Sequence, residues 1–370
     1  MHYNSFTSES VCEGHPDKIC DQVSDACLDA CLKQDPYSHT GIECLATTNR
    51  FIVAGEVKSQ AKVDYKTIAK NIIKELGYDS PVYHFDYHTA KIDVLIHQQA
   101  PDIALGVDVG GAGDQGMMFG YACDETKDFM PLPITIAHAL TRAVDQARKT
   151  KRIPYLRPDG KSQVVVDYKN GQPVGVSTVI LAVPHKPSVS TNTIRTDLFH
   201  QVVTPTLRKF GYKIGITNFT LNGTGRWEVG GPDSDSGLTG RKIMVDTYGS
   251  MGRHGGGSFS GKDPTKVDRS AAYACRFLAK NIVAHKLARR CEVKVAYVIG
   301  QAEPVAQSVD TFGTEKVRNG AIKDFMKKVL HLSVNGILET LDLRRPIYRE
   351  TARYGHFGRP SFPWEKIVSV

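Results

Sequence analysis

The 370-residue sequence has no uninterrupted apolar run near the roughly 18 residues that a membrane helix takes. Its first ten residues, MHYNSFTSES, have neither the basic region nor the apolar core of a secretory signal. The 8 cysteines include no C-x-x-C pair, so neither a disulfide framework nor a zinc ribbon is indicated. These absences lead to the expectation of a cytoplasmic protein without membrane contact. Between Arg241 and Arg276, the most basic stretch, only Tyr248, Phe259 and Tyr273 interleave with the cations, too few for a nucleic-acid stacking platform. Cys20, Cys27 and Cys31 share one helical face, but three thiols on one helix lack the tetrahedral spread a metal needs, and they read as buried apolar side chains.

What is present is an ordinary globular composition, 41% hydrophobic and 23% charged, with a net charge of +8 that suits an anionic ligand. Apolar periodicity predicts helices over 16–34, 63–77, 133–149, 267–289 and 317–331, with an amphipathic segment over 194–210. It predicts strands over 41–58 (a pair), 91–98, 163–183 (a hairpin turned at Asn170-Gly171), 216–221, 292–299 and 307–312. The order helix, hairpin, helix recurs about every 120–130 residues, the mark of an internal triplication. The expected fold is α+β: three pseudo-symmetric domains, each a small mixed sheet with helices on one face. The expected bounds are 1–105, 106–228 and 229–370, with segments free to interleave.

Glycine-rich loops separate the units: GVDVGGAGDQGMMFG (106–120), GTGRWEVGGPDSDSGLTG (223–240) and GSMGRHGGGSFSGK (249–262). Glycine lets backbone amides come close to phosphate. Residues 256–262 match G-x-x-x-x-G-K, but Asp263 stands where a P-loop has Ser or Thr, so a standard P-loop is not expected. A following helix, expected to open near Asp263-Pro264-Thr265, would direct its positive end at an anion. Arg241, Lys242, Arg253, Lys262, Lys266, Arg269 and Arg276 crowd this region against only Asp246, Asp263 and Asp268, which favours a polyphosphate. Asp17, Asp21, Asp25 and Asp29 recur every four residues on the first helix, so the row requires compensation by cations, caps or metal. The last three read as a polar face paired with other elements. Asp17, beside His15 and Lys18 at the helix start, reads as functional.

The motifs FTSESVCEGHPDK (Phe6 to Lys18), GAGDQG (Gly111 to Gly116), GGPDSDSGLTGRK (Gly230 to Lys242) and HGGGSFSGKDPTKVDRS (His254 to Ser270), in this order, resemble the S-adenosylmethionine synthetase family. The likeness runs on through YGHFGR (Tyr354 to Arg359) and Trp364. It implies attack of the L-methionine sulfur on C5′ of ATP, departure of the tripolyphosphate, and its hydrolysis to phosphate and diphosphate. Against it stand two other readings, a relative reduced to regulation or tripolyphosphate hydrolysis, and a basic nucleic-acid-binding module.

By the same resemblance, His15, Lys161, Lys262 and Asp114 would be catalytic, Asp114 reaching the substrates from a neighbouring subunit. ATP would meet His15, Asp159, Lys161, Arg226, Trp227, Asp235, Arg241, Lys242, Ser258 and Lys262, with Trp227 stacked on adenine. Glu56, Gln99, Asp235 and Lys266 would bind methionine. Asp17 and Asp268 would hold Mg²⁺, two ions per site, and Glu43 would hold K⁺. The implied assembly is a homo-oligomer, a dimer or a dimer of dimers (homotetramer), with active sites between subunits. The lid before GAGDQG is shorter than is common in the family, only Gly106 to Gly110 lying between Leu105 and the motif.

Overall fold

The computed structural model describes residues 4–98 and 110–369. The chain passes three times through the order strand, helix, hairpin, helix. The first pass is β1 (Ser5–Val11), α1 (Pro16–Gln34), the hairpin β2 (His39–Thr47) and β3 (Arg50–Lys58), α2 (Tyr65–Glu75) and β4 (Lys91–Gln98). The second is β5 (Gly116–Cys123), α3 (Leu132–Lys149), β6 (Lys161–Lys169) and β7 (Gln172–Ala182), α4 (Thr191–Leu198), α5 (Thr204–Lys209) and β8 (Phe219–Leu221). The third is β9 (Gly237–Leu238), α6 (Ile243–Asp246), α7 (Val267–Ala284), β10 (Arg290–Tyr297) and β11 (Ala306–Asp310), α8 (Asn319–Val329) and α9 (Val334–Thr340).

The opening strand of each pass pairs with the hairpin of the next: β1 is antiparallel to β6, β5 to β10, and β9 to β2. The three sheets run β9-β2-β3-β4, β1-β6-β7-β8 and β5-β10-β11. In the first two the last strand is parallel to its neighbour, β4 to β3 and β8 to β7. In the third the pairs among the described residues are antiparallel. Cyclic exchange of edge strands joins the three units into one body. α1, α3 and α7 each lie on the sheet of their own pass.

Local chemistry explains the agreements and the departures. β6 alternates half-buried and buried residues along its length, and its hairpin turns at Asn170 (φ 54°) and Gly171 (φ 72°), the left-handed pair that a tight two-residue loop needs. The amphipathic segment expected over 194–210 forms two short helices separated by a wider turn at Phe199–Val203, just before Pro205, whose missing N–H interrupts the regular ladder. The strand expected from 216 starts at Phe219, after a short turn over Ile216–Asn218. The third major helix opens at Val267 rather than at Asp263 to Thr265. There the Asp263 side chain accepts the Thr265 N–H at 3.1 Å and the Lys266 N–H bonds the Asp263 carbonyl, making a turn that precedes the helix. All eight cysteines are buried and free, and among the described residues no three His, Cys, Asp or Glu side chains gather into a metal cage.

Candidate active site

α1 is buried along most of its length, yet it carries the aspartate row inward. Each member of the row holds backbone N–H groups of another segment. Asp17 accepts the Leu238 N–H at 2.9 Å and Asp21 the Gly240 N–H at 2.8 Å. Asp25 accepts the Gly261 N–H at 2.9 Å and both arms of Arg269 at 2.7 Å, and Asp29 accepts the N–H groups of Tyr348 and Arg349 at 2.9 Å. Lys18, fully buried, bonds Asp21 at 2.8 Å and Asp246 at 2.6 Å. Burial alone would lower its pKa, but these two carboxylates more than reverse that and raise it. The compensation expected for the row is thus made by backbone amides and cations, and the row fastens two glycine loops and the C-terminal segment to one helix.

At the N-terminus of α1 a first group of candidates gathers. His15 caps the helix, its Nδ1 accepting the Asp17 N–H at 3.2 Å. Burial first, then the charges of Lys242, Lys161, Lys18 and Arg241, push its pKa well down. A neutral imidazole whose Nδ1 lone pair is engaged carries its proton on Nε2, so His15 presents an N–H donor among lysines and an arginine. Lys242 Nζ bonds Asp17 Oδ2 at 2.5 Å, and Arg241 Nε lies 3.9 Å from Asp17 Oδ1. Lys161 opens β6, paired with Val11 and Ala182.

A second group lines a cleft of about 560 Å³ between β2, β3 and the loop before α7. It includes Glu43, Glu56, Asp114, Ser258, Lys262 and Lys266, and none of His15, Asp17, Lys161, Arg241 or Lys242. The loop is held by pairing with β2: Ile42 N–H donates to the Gly261 carbonyl at 3.1 Å, and Thr40 N–H to Asp263 Oδ1 at 2.8 Å. Gly261 (φ 80°) is required there, because a Cβ would lie 1.8 Å from the Ile42 oxygen. Lys262 Nζ bonds Asp268 Oδ2 at 2.5 Å and Lys266 Nζ bonds Asp263 Oδ1 at 2.6 Å. The two groups come together at Gly240, where a Cβ would fall 2.4 Å from that of Ser258.

Comparison with known proteins identifies the family. Residues 3–101, 109–227 and 229–366 match, respectively, the N-terminal, central and C-terminal domains of S-adenosylmethionine synthetase. The chain is 52% identical to the S-adenosylmethionine synthase of Treponema denticola over 98% of its own length and 96% of that protein's. It is 51% identical to that of Desulforudis audaxviator over 99% and 97% of the two chains, and 50% to that of Treponema pallidum over 99% and 94%. The chain belongs to the S-adenosylmethionine synthetase family.

The remaining positions named through the family resemblance divide by environment. Asp159 is buried and holds the Gly160 and Gly231 N–H groups at 2.7 and 2.8 Å, so it fixes a glycine loop; burial raises its pKa to about 6. Trp227 is half-buried with its indole N–H on the Val229 carbonyl at 2.6 Å, Arg226 pairs with Glu228, and Asp235 is exposed at the foot of the same loop. Gln99 and lid residues 106–109 lie outside the described residues.

The charge count over 241–276 overstated the cations free for phosphate. Arg269 is held by Asp25, Arg276 by both oxygens of Glu365 at 3.0 and 2.9 Å, and Arg253 by Glu292 at 2.8 Å. Those acids lie far away in sequence and share no local pattern with their arginines. Likewise Asp263, which spoils the P-loop pattern, is the hub that ties Thr40, Thr265 and Lys266 together. Its Asp-Pro-Thr context is the one local sign of that turn.

Proposed function

We propose the following division of labour for the synthesis of S-adenosylmethionine from ATP and L-methionine, the reaction of the family to which the chain belongs. A thioether is a weak, uncharged nucleophile, so the barrier must fall by alignment at C5′ and by stabilising charge on the departing tripolyphosphate. His15 directs its Nε2 proton at the bridging oxygen as the C5′–O bond lengthens. Lys161, Arg241, Lys242 and Lys262 surround the phosphate chain, and Ser258 borders it. Trp227 offers its ring face to adenine, with Arg226 and Asp159 placing the loop that carries it. Glu56, Asp235, Lys266 and Gln99 take the amino and carboxylate groups of methionine, and Asp114 closes the cleft beside them.

The donor set suits Mg²⁺. Asp17 and Asp268 are single hard carboxylates without a protein cage, which fits an ion that keeps several water and phosphate ligands. Each carboxylate holds a lysine at 2.5 Å, so a phosphate chain drawing off Lys242 and Lys262 would free both for metal. Bound there, Mg²⁺ supplies neutralisation of phosphate charge. Glu43, exposed on the cleft wall, is the corresponding carboxylate for K⁺.

The observation that carries the reading is the split of the candidates into two groups with separate surroundings. It supports active sites assembled from two copies, each giving one group. The exposed apolar residues Val94, Leu95, Met117 and Ile299 on β4, β5 and beyond β10 supply a surface for such pairing. The test is to assay S-adenosylmethionine by mass spectrometry for Asp17→Asn, Lys262→Ala and a mixture of the two after subunit exchange. Each alone is expected to be inactive. The mixture should recover up to about a quarter of the wild-type rate, since half of randomly paired dimers hold one intact site of two. No recovery in a mixture shown to exchange would place both groups in one subunit's site.

A further inference from the structure

A second cleft, of about 290 Å³, lies between α3, the end of α5 and the C-terminal segment around Tyr354 to Arg359. Three cations line it: Arg142, Lys209 and Arg359. Among the described residues none of the three makes an ion pair with a carboxylate, although the charge of Glu350 acts on Arg359 from further off. Arg142 lies over the Tyr354 ring, 4.8 Å from its centroid. Arg359 lies over Phe362 at 4.3 Å and donates to the Glu350 carbonyl, while its Nε is buried without a partner. Asp128, the one carboxylate in the lining, is paired with none of them.

Arg142 and Lys209 are exposed and Arg359 is half-buried. The protein's deeply buried cations are matched, Arg269 by Asp25, Arg276 and Lys280 by Glu365, Lys18 by Asp21 and Asp246, whereas the buried Nε of Arg359 has no partner. Like charges along one wall of a cleft repel, most strongly at the half-buried Arg359. The repulsion is visible in both neighbours. Arg359 is pushed down to about 10 by burial and then by Arg142. His138, with Nδ1 on Ser10 Oγ at 2.8 Å, is pushed down to about 3 by burial and then by Arg359 and Arg142.

We propose that this cleft is a second ligand site, separate from the one that handles ATP, and that it takes a phosphoryl oxyanion between Arg142, Lys209 and Arg359. Guanidinium forks match phosphate oxygens in pairs, and lysine adds a point charge. Met130, Phe210 and Phe357 give the site an apolar wall. Its volume lies at the small end of ligand pockets, about 300 Å³ and upward, which suits inorganic phosphate, diphosphate or a small phosphate monoester. The proposal does not depend on the roles assigned to the ATP site.

The test is calorimetric titration of the full-length protein with inorganic phosphate, diphosphate and glycerol phosphate, whose order of affinity separates a free phosphate from an ester. Because the ATP site itself takes phosphate and diphosphate, the wild type is expected to show two binding events per chain, and one of them persists in Lys262→Ala. In the double variant Arg142→Gln, Lys209→Gln that event should weaken about tenfold or more, the loss of charge-assisted bonds. Its rate of S-adenosylmethionine synthesis without added phosphate should stay at the wild-type level. Arg142→Lys, which keeps the charge, should retain binding. Because Arg142 also packs on Tyr354, Lys209→Gln alone, an exposed change, must weaken phosphate by itself. Titrations of Lys209→Gln and the double variant that coincide with the wild type would overturn the site, and so would loss of all phosphate binding in Lys262→Ala.

Discussion

α1 and α7 open alike. Each has an aspartate as its second residue, Asp17 and Asp268, and each aspartate grips a lysine of a glycine-rich stretch at 2.5 Å. The equivalent helix of the middle unit, α3, begins Leu132-Pro133 after Pro131, with no carboxylate in its first turn. Triplication thus supplied three helix starts, each with free N–H groups and a positive end, and two of them carry the Asp–Lys pair. The two differ in depth. The Asp17 side chain is 2% exposed and also holds Leu238, whereas that of Asp268 is 12% exposed, beside a glycine, Gly257, whose Cβ would strike its carboxylate. One end ties down backbone as well as gripping its lysine, and the other is arranged more openly.

The largest effect comes from separating the two helices. Arg269, one residue beyond Asp268, is fully buried and bidentate on Asp25 of α1. Arg269→Met leaves that carboxylate and its hold on Gly261 without a countercharge, and is expected to cost about 3–5 kcal/mol in denaturant unfolding. A loss below about 1 kcal/mol would mean that the helices are joined by packing alone.

Next is the comparison itself. Asp17→Asn and Asp268→Asn should each slow S-adenosylmethionine formation by about 10²–10³-fold and move the Mg²⁺ titration to higher concentration. The two should part in stability: Asp17→Asn also disturbs the Leu238 contact and lowers the melting temperature, while Asp268→Asn leaves it nearly unchanged. An unmoved metal titration in either variant would remove that residue from the metal ligands.

Much of this contrast was legible in the sequence, because helix periodicity is local. α1 and β4 fall at the predicted residues, and Asp17 stands out through its neighbours His15 and Lys18. The strands β1, β5 and β9 were not legible. Residues 116–123 read GMMFGYAC, with two glycines and no alternation, and they become a strand only because β10 of another unit lies beside them. The same holds for the buried arginines, whose partners Asp25 and Glu365 lie in distant segments. The candidate site was read through its motifs, whereas its division into two groups needed three dimensions.

The far end of α1 gives a smaller, pH-dependent contrast. Asp29 holds two backbone N–H groups and among the described residues makes no ion pair; burial, the main cause, raises its pKa from the ordinary 3.8 to about 7. Since the folded-state value is the higher, the stability it contributes is present below about pH 4 and is lost as pH rises through about 7. The lost amount is at most about 4 kcal/mol, from a shift of about three units. Asp29→Asn removes the titration but keeps one acceptor for two donors. It should therefore melt below the wild type in acid, with the gap closing between about pH 4 and 7. A gap that stays constant over that range would show that Asp29 is ionised throughout.

The smallest effect sharpens the Asp17 side alone. Trp227 belongs to the loop that continues into Leu238, Gly240 and Lys242, and its indole N–H is already engaged by the Val229 carbonyl. Only its ring face remains to offer a base, and a face is a property that phenylalanine shares and leucine lacks. Trp227→Phe should therefore keep the KM for ATP near the wild-type value, and Trp227→Leu should raise it about tenfold, the worth of one stacked base. The KM for methionine, proposed to be bound by Glu56 and Lys266 of the other group together with Asp235, should move less than that for ATP in either variant. Equal changes in both KM values would mean that the ring holds the loop in place rather than the nucleotide.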